Sequence, residues 1–257
     1  MRIPALVLAA LVAGGIVFAQ EAPNQEREFL SRVRRLTVDG KRAGEGYWSP
    51  DGKRLVLQSE RDPGNPFYQQ YVMDLTTGDT TRISPGMGKT TCGFFRPGSD
   101  EIMFASTHHD PTSKQQQDDE LAFRASGKER RYAWDYDPAM EIYAYQEKSK
   151  TLKRLTNVRG YDAEGGYSPD GQWIVFSSTR TAYDHTLSAA EAKQLTTDAA
   201  WFAEIYIMKA DGTGQRRLTE TPGYDGGPFF TPDGKKVLWR RFDEQGLIAD
   251  VWTMNPD

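Results

Sequence analysis

Short apolar runs separated by turn residues dominate this chain. Lys53 to Ser59, Gln70 to Leu75, Gln172 to Ser178, Glu204 to Met208 and Lys235 to Trp239 each read as a strand bounded by Gly, Pro, Asp or Ser. Period-two alternation is weak in them, since Ile205-Tyr206-Ile207-Met208 is apolar at every position. Strands that are apolar on both faces need cover on both sides, as in a sheet sandwiched between two others.

The runs belong to a repeat. Residues 35–52, 82–99, 154–171 and 217–234 align without gaps, from Arg-Leu-Thr or its equivalent to Ser-Pro-Asp-Gly. Thr37, Ser84, Thr156 and Thr219 each precede a proline (Pro50, Pro97, Pro169, Pro232) by 13 residues. Tyr71, Tyr143 and Tyr206 precede the next of these hydroxyl residues by the same 13, and Trp252 holds the matching place in the fourth copy. Only the interval from proline to aromatic varies, at 21, 46, 37 and 20 residues, so copies two and three carry insertions.

Each copy resolves into four strands. The first, such as Gly46-Tyr47-Trp48, enters the Ser49-Pro50-Asp51-Gly52 hairpin, where Pro fixes one backbone angle and Gly accepts positive φ. Four-stranded units at a spacing of about 47 residues are propeller blades; a β-helix has shorter repeats without paired hairpins. The predicted fold is an all-β propeller with four visible blades over residues 35–257. The last is incomplete, because Asp257 falls inside the turn after its third strand. Residues 20–34 are a candidate blade-closing strand. The alternative, favoured by that ending, is that the four blades are part of a larger ring of six.

Composition narrows the function classes. The net charge of −4 argues against a nucleic-acid partner, which calls for a basic face. Met1-Arg2, the apolar run Ala5 to Phe18 and the small residue Ala19 read as a signal peptide over 1–19, which predicts a periplasmic or secreted protein without a transmembrane segment. Cys92 is the only cysteine, so stability rests on packing rather than on an intramolecular disulfide.

The succession of Leu-Thr, Ser-Pro-Asp-Gly, an apolar strand and Ile-Tyr-x-Met resembles the TolB-type, WD40-like propeller repeat over most of the chain. Copy two departs from it with Arg96-Pro97-Gly98-Ser99-Asp100. The resemblance implies a propeller that works in the periplasm through protein contacts. It also admits the N-terminal propeller of a larger secreted hydrolase, such as a peptidase. The separate α/β domain that precedes the TolB propeller has no room between Gln20 and Arg35, so a TolB transport role is not carried over.

In an up-and-down blade, the loops between strands two and three share a face with the loops between blades. Both insertions therefore project from one face, with His108, His109, Asp110, Tyr132, Trp134 and His185. The interblade loops add Tyr161-Asp162 and Tyr224-Asp225 at matching positions. His108-His109-Asp110 offers metal-donor chemistry, but adjacent side chains diverge from a single ion, so no metal or cofactor is expected. Asp162 and Asp225 read either as ligands for a cation or peptide amine or as turn-capping carboxylates. The polar stretch Lys114 to Asp119 reads as flexible. Tyr132, Trp134 and Tyr136 read as interface anchors or as an added strand. No catalytic signature is present, which leaves a scaffold for a protein or peptide partner as the favoured reading.

Overall fold

The structure is a computed structural model that describes residues 29–130 and 133–256. It divides into a short unit, Met1–Leu36, and a repeat unit, Thr37–Asp257. In the first, the expected signal peptide lies outside the described residues, and residues 30–36 form no strand. Among the described residues, no helix is long and apolar enough to cross a membrane.

The repeat unit consists of four antiparallel sheets in sequence order. Blade one is β1 (Arg42–Trp48), β2 (Arg54–Glu60), β3 (Gln69–Asp74) and β4 (Thr80–Arg82). Blade two is β5 (Thr90–Phe95), β6 (Glu101–Ser106), β7 (Glu141–Gln146) and β8 (Thr151–Arg154), with helix α1 (Ser113–Ala125) inserted after β6. Blade three is β9 (Asp162–Tyr167), β10 (Trp173–Ser178), β11 (Glu204–Lys209) and β12 (Arg216–Arg217), with α2 (Ala189–Thr197) inserted after β10. Blade four has three strands, β13 (Asp225–Phe230), β14 (Val237–Phe242) and β15 (Ala249–Met254).

The fixed 13-residue interval from aromatic to hydroxyl has a hydrogen-bond cause. The hydroxyl residue turns back onto its own blade and accepts the backbone N–H just before the recurring aromatic: Gln70 to Ser84, Ile142 to Thr156 and Ile205 to Thr219, at 3.0, 2.9 and 2.9 Å. Adding or removing one residue in between would leave that buried N–H without its acceptor. At the other end, Ser49 Oγ donates to Asp51 at 2.6 Å and accepts from Arg54 N at 2.9 Å, while Gly52 takes φ of 69°. Blades three and four repeat this lock with Ser168 and Asp170, and with Thr231 and Asp233. Blade two closes its hairpin differently: the positive φ moves to Gly98, and Ser99 Oγ caps Glu101 N at 3.1 Å.

Apolar contacts join successive blades. Val56 and Val72 meet Phe95, Ile102 and Phe104 between blades one and two. Met103 and Ile142 meet Tyr167, Ile174 and Phe176 between two and three. Val175, Ile205 and Ile207 meet Val237 and Trp239 between three and four. This explains the weak alternation, since both faces of the middle blades are covered. Trp48 on blade one and Val251 and Trp252 on blade four remain exposed. The innermost strands meet at the centre, where the rings of Tyr47, Phe94 and Phe229 lie 5.3 to 6.3 Å apart.

The insertion in blade two differs from expectation. Lys114 to Asp119 are helical, and α1 is held by polar bonds. Gln117 accepts from Gly88 N at 2.8 Å and donates to Gly64 O at 3.1 Å, while Glu120 takes two arginines. Its low apolar content hid it, because its anchoring is polar. No added strand forms at 133–136.

Candidate binding site

Each innermost strand carries a bulge at the same repeat position, eight residues after the hydroxyl. The bulged residues are Glu45, Cys92, Glu164 and Gly227, with φ of 33°, 56°, 55° and 61°. Left-handed backbone is uncommon for residues with a side chain, and a bulge re-aims its side chain. Here the bulges bring Glu45, Cys92 and Glu164 onto one central well of about 430 Å³. Tyr224 and Gly227 N donate to Glu164 at 2.7 and 2.8 Å, and Tyr47 donates to Glu45 at 3.0 Å. Burial pushes the Glu164 carboxyl up against these hydrogen bonds. Burial, then the nearby carboxylates, push the Cys92 thiol far up, so it stays protonated.

A larger pocket, about 630 Å³, opens beside the well on the insertion face. Its aromatic lining comes from Phe67 and Tyr68 of the β2–β3 loop, Phe123 of α1 and Trp134. Lys89 sits within it, over the Phe67 ring at 5.4 Å and bonded to Asp135 and Asp137 at 2.6 and 2.7 Å. Burial opposes the Lys89 charge, but the two aspartates outweigh it and hold the ammonium above its ordinary range. Trp134 lines both cavities and donates to the Tyr161 hydroxyl at 2.9 Å.

The expected site residues separate into three groups. Trp134, Tyr161 and Tyr224 meet these cavities. Asp162 and Asp225 do not face a ligand, because both are fully buried. Asp162 takes Arg180 at 3.1 and 2.6 Å and Ser178 at 2.5 Å. Asp225 takes Arg241 at 2.7 Å through both oxygens and the Trp239 indole at 3.0 Å. These side-chain pairs lie within single blades, and among the described residues neither carboxylate caps a turn N–H as the sequence alternative had it.

The described members of the third group lie outside these two cavities. His108 bonds Ser106 Oγ and His109 bonds the Tyr143 hydroxyl, each at 2.9 Å, while Asp110 accepts Thr112 N ahead of α1. Burial, then His109 and Arg154, lower the His108 pKa to about 4. His185 is exposed beside Asp184 and Glu191, which raise its pKa. Tyr132 lies outside the described residues. Among those residues, no group of three His, Cys, Asp or Glu assembles as metal donors.

Glu45, Glu164, Phe67, Lys89 and Phe123 were not singled out from sequence. Reading down the repeat column eight after each hydroxyl would have found the first two. Phe67, Lys89 and Phe123 come together only through the docking of α1.

Comparisons with known proteins agree with this architecture. No family model matches the chain. The putative TolB structure from Agrobacterium tumefaciens superposes with a TM-score of 0.55 at 19% identity, covering 85% of this chain and 65% of that one. The fold is a TolB-like β-propeller. In sequence, the chain is 28% identical over 221 residues to an uncharacterized protein of Agrobacterium fabrum, covering 80% of this chain and 66% of that protein. It is 27% identical over 139 residues to the TolB homologue of Chlorobium luteolum, covering 44% of this chain and 32% of that protein. It therefore spans less than two thirds of these curated relatives. The same fold recurs in an oligogalacturonate lyase, at TM-score 0.51 and 14% identity over 86% of this chain and 52% of that one. The TolB-like fold thus occurs in enzymes as well, and function must rest on the site.

Proposed function

We propose that this chain is an exported binding module that captures a protein or peptide on its insertion face, in the pocket between α1, the β2–β3 loop and Trp134. The pocket itself carries the reading: it is about 630 Å³, aromatic in its lining, and has most of its charges paired in place. Aromatic anchors ringed by fixed charges suit a short peptide segment. Likeness to TolB homologues supports a periplasmic setting and a protein partner. A propeller domain of a larger hydrolase is the second reading. It draws on an uncharacterized Bacillus subtilis peptidase, 25% identical over 180 residues, with 65% of this chain and 24% of the peptidase covered.

Panning a displayed random-peptide library tests the first reading. Peptides enriched on the wild-type chain should lose binding to Phe123→Ala and Trp134→Ala, with circular dichroism unchanged. No enrichment, or enriched peptides that ignore both substitutions, would count against the pocket.

A further inference from the structure

We infer that the pocket beneath α1 selects a carboxylate-bearing peptide segment, an inference that rests on reading this pocket as a peptide site. Four cations, Lys41, Arg42, Arg124 and Arg130, converge on two carboxylates, Glu60 and Glu120. Glu60 takes Arg42 at 2.8 Å, Arg124 at 2.7 Å and Lys41 at 3.8 Å. Glu120 takes Arg124 at 2.7 Å and Arg130 at 2.5 Å. The four cations carry +4 against −2 for the carboxylates, so this wall keeps a charge of +2.

Burial sets the direction of that excess. Glu60 and Glu120 are only 3% and 8% exposed. The Lys41, Arg42 and Arg130 side chains are 71%, 44% and 61% exposed. The anions are thus spent inside the wall, while the cations face outward. A guanidinium has five donors in one plane. Among the described residues, Arg42 spends only Nε and Nη2 on a carboxylate, and Arg130 only Nη2. Each keeps donors for an incoming carboxylate.

Aromatic rings back both groups, with Arg42 over Tyr68 at 5.1 Å and Arg130 over Phe123 at 4.7 Å. Elsewhere in the pocket Lys89 is bonded to Asp135, which shares the lining, and to the buried Asp137, so the charge around it is of opposite sign. A ligand with separated carboxylates and aromatic groups fits this polarity. A continuous phosphate backbone does not, because it would run against Asp135 on a chain of net charge −4.

Fluorescence anisotropy on the full chain decides the matter, with three labelled peptides of tandem Glu-Tyr, Gln-Tyr or Lys-Tyr. The Glu-Tyr peptide should bind about tenfold more tightly than the Gln-Tyr peptide, and the Lys-Tyr peptide least. This preference should shrink at about 1 M salt, where screening is nearly complete. A double variant, Lys41→Gln with Arg130→Gln, removes two exposed cations and leaves the Glu60 bonds to Arg42 and Arg124. It should narrow the preference for Glu-Tyr over Gln-Tyr to about threefold or less, with Arg42 left as the remaining carboxylate donor; an undiminished preference would count against the charge inference. Equal affinity for Glu-Tyr and Gln-Tyr would overturn the charge inference and leave the peptide site standing. Tighter binding of a single-stranded oligonucleotide would overturn it in favour of nucleic acid. Failure of all three peptides would overturn both this inference and the proposed function.

Discussion

Trp134 donates its indole N–H to the Tyr161 hydroxyl at 2.9 Å, tying the long insertion of blade two to the loop that enters blade three. Tyr161 is fully buried and clusters with Ala105 and Ala163 of the blade strands, so its position is fixed by the propeller itself. Trp134 takes its place from that fixed point and forms a wall of both the central well and the side pocket.

Replacing Trp134 with Phe keeps an aromatic surface and deletes the donor. The expected cost is about 1 kcal/mol of stability, the net worth of one hydrogen bond, seen as a lower urea midpoint. Trp134→Ala removes the surface as well and should weaken peptide capture by about 2 kcal/mol, the scale of an interface hot spot. Equal capture by wild type and Trp134→Ala would show that this side chain anchors nothing.

Asp162→Asn and Asp225→Asn distinguish bracing from binding. Asp162→Asn leaves the buried Arg180 without its counter-charge, which costs about 3–5 kcal/mol, and Asp225→Asn leaves the partly exposed Arg241 unpaired, which costs less. Urea melts should register the loss, while the fraction still folded should bind peptide as before. A ligand-binding role predicts the reverse, with stability held and affinity lost.

The repeat made the blades legible because its spacing is a hydrogen-bond constraint. Ser84, Thr156 and Thr219 each bond a fixed strand N–H, so their intervals to the aromatic cannot drift. The insertion face was legible for the same reason, since only one loop type varied in length. The pocket was not. Phe67, Lys89 and Phe123 come from three separate segments, and α1 docks through Gln117 and Glu120 rather than through an apolar stripe. Histidines drew attention as chemically versatile residues, yet His108 and His109 settle around Tyr143. Asp162 and Asp225 share a repeat position because each anchors an arginine inside its own blade.

Cys92 should resist thiol reagents in the folded protein. It is 5% exposed, and burial beside Glu45 and Glu164 keeps it protonated, so thiolate is scarce at neutral pH. Labelling with an aromatic disulfide should be slow in buffer and complete within minutes in about 8 M urea, whose m-value-driven unfolding exposes the group. Fast labelling of the native chain would place the thiol in open contact with solvent and contradict its place in the wall of the well.

His108 gives the fold a pH dependence with a definite sign. Burial, then the neighbouring His109 and Arg154, hold its pKa at about 4, against an ordinary value of 6.5. Its polar contact is Ser106 Oγ, and its ring lies 4.5 Å from that of Tyr143. In the unfolded chain the imidazole takes a proton as pH falls below about 6.5, whereas in the fold it does not until about 4. The stabilisation is therefore complete above the unfolded pKa and is lost as pH falls through the folded one. The full interval corresponds to about 3 kcal/mol, and solvent screening at a half-buried site brings the expectation to about 1–2 kcal/mol. Carboxylates also titrate in acid, so the readout is a difference: urea midpoints at pH 7 and pH 5 for the wild type and for His108→Gln. The wild type should lose more stability over that step, because the variant has no imidazole to charge in its unfolded state. An equal loss in both proteins would mean that His108 titrates alike in the folded and unfolded chains.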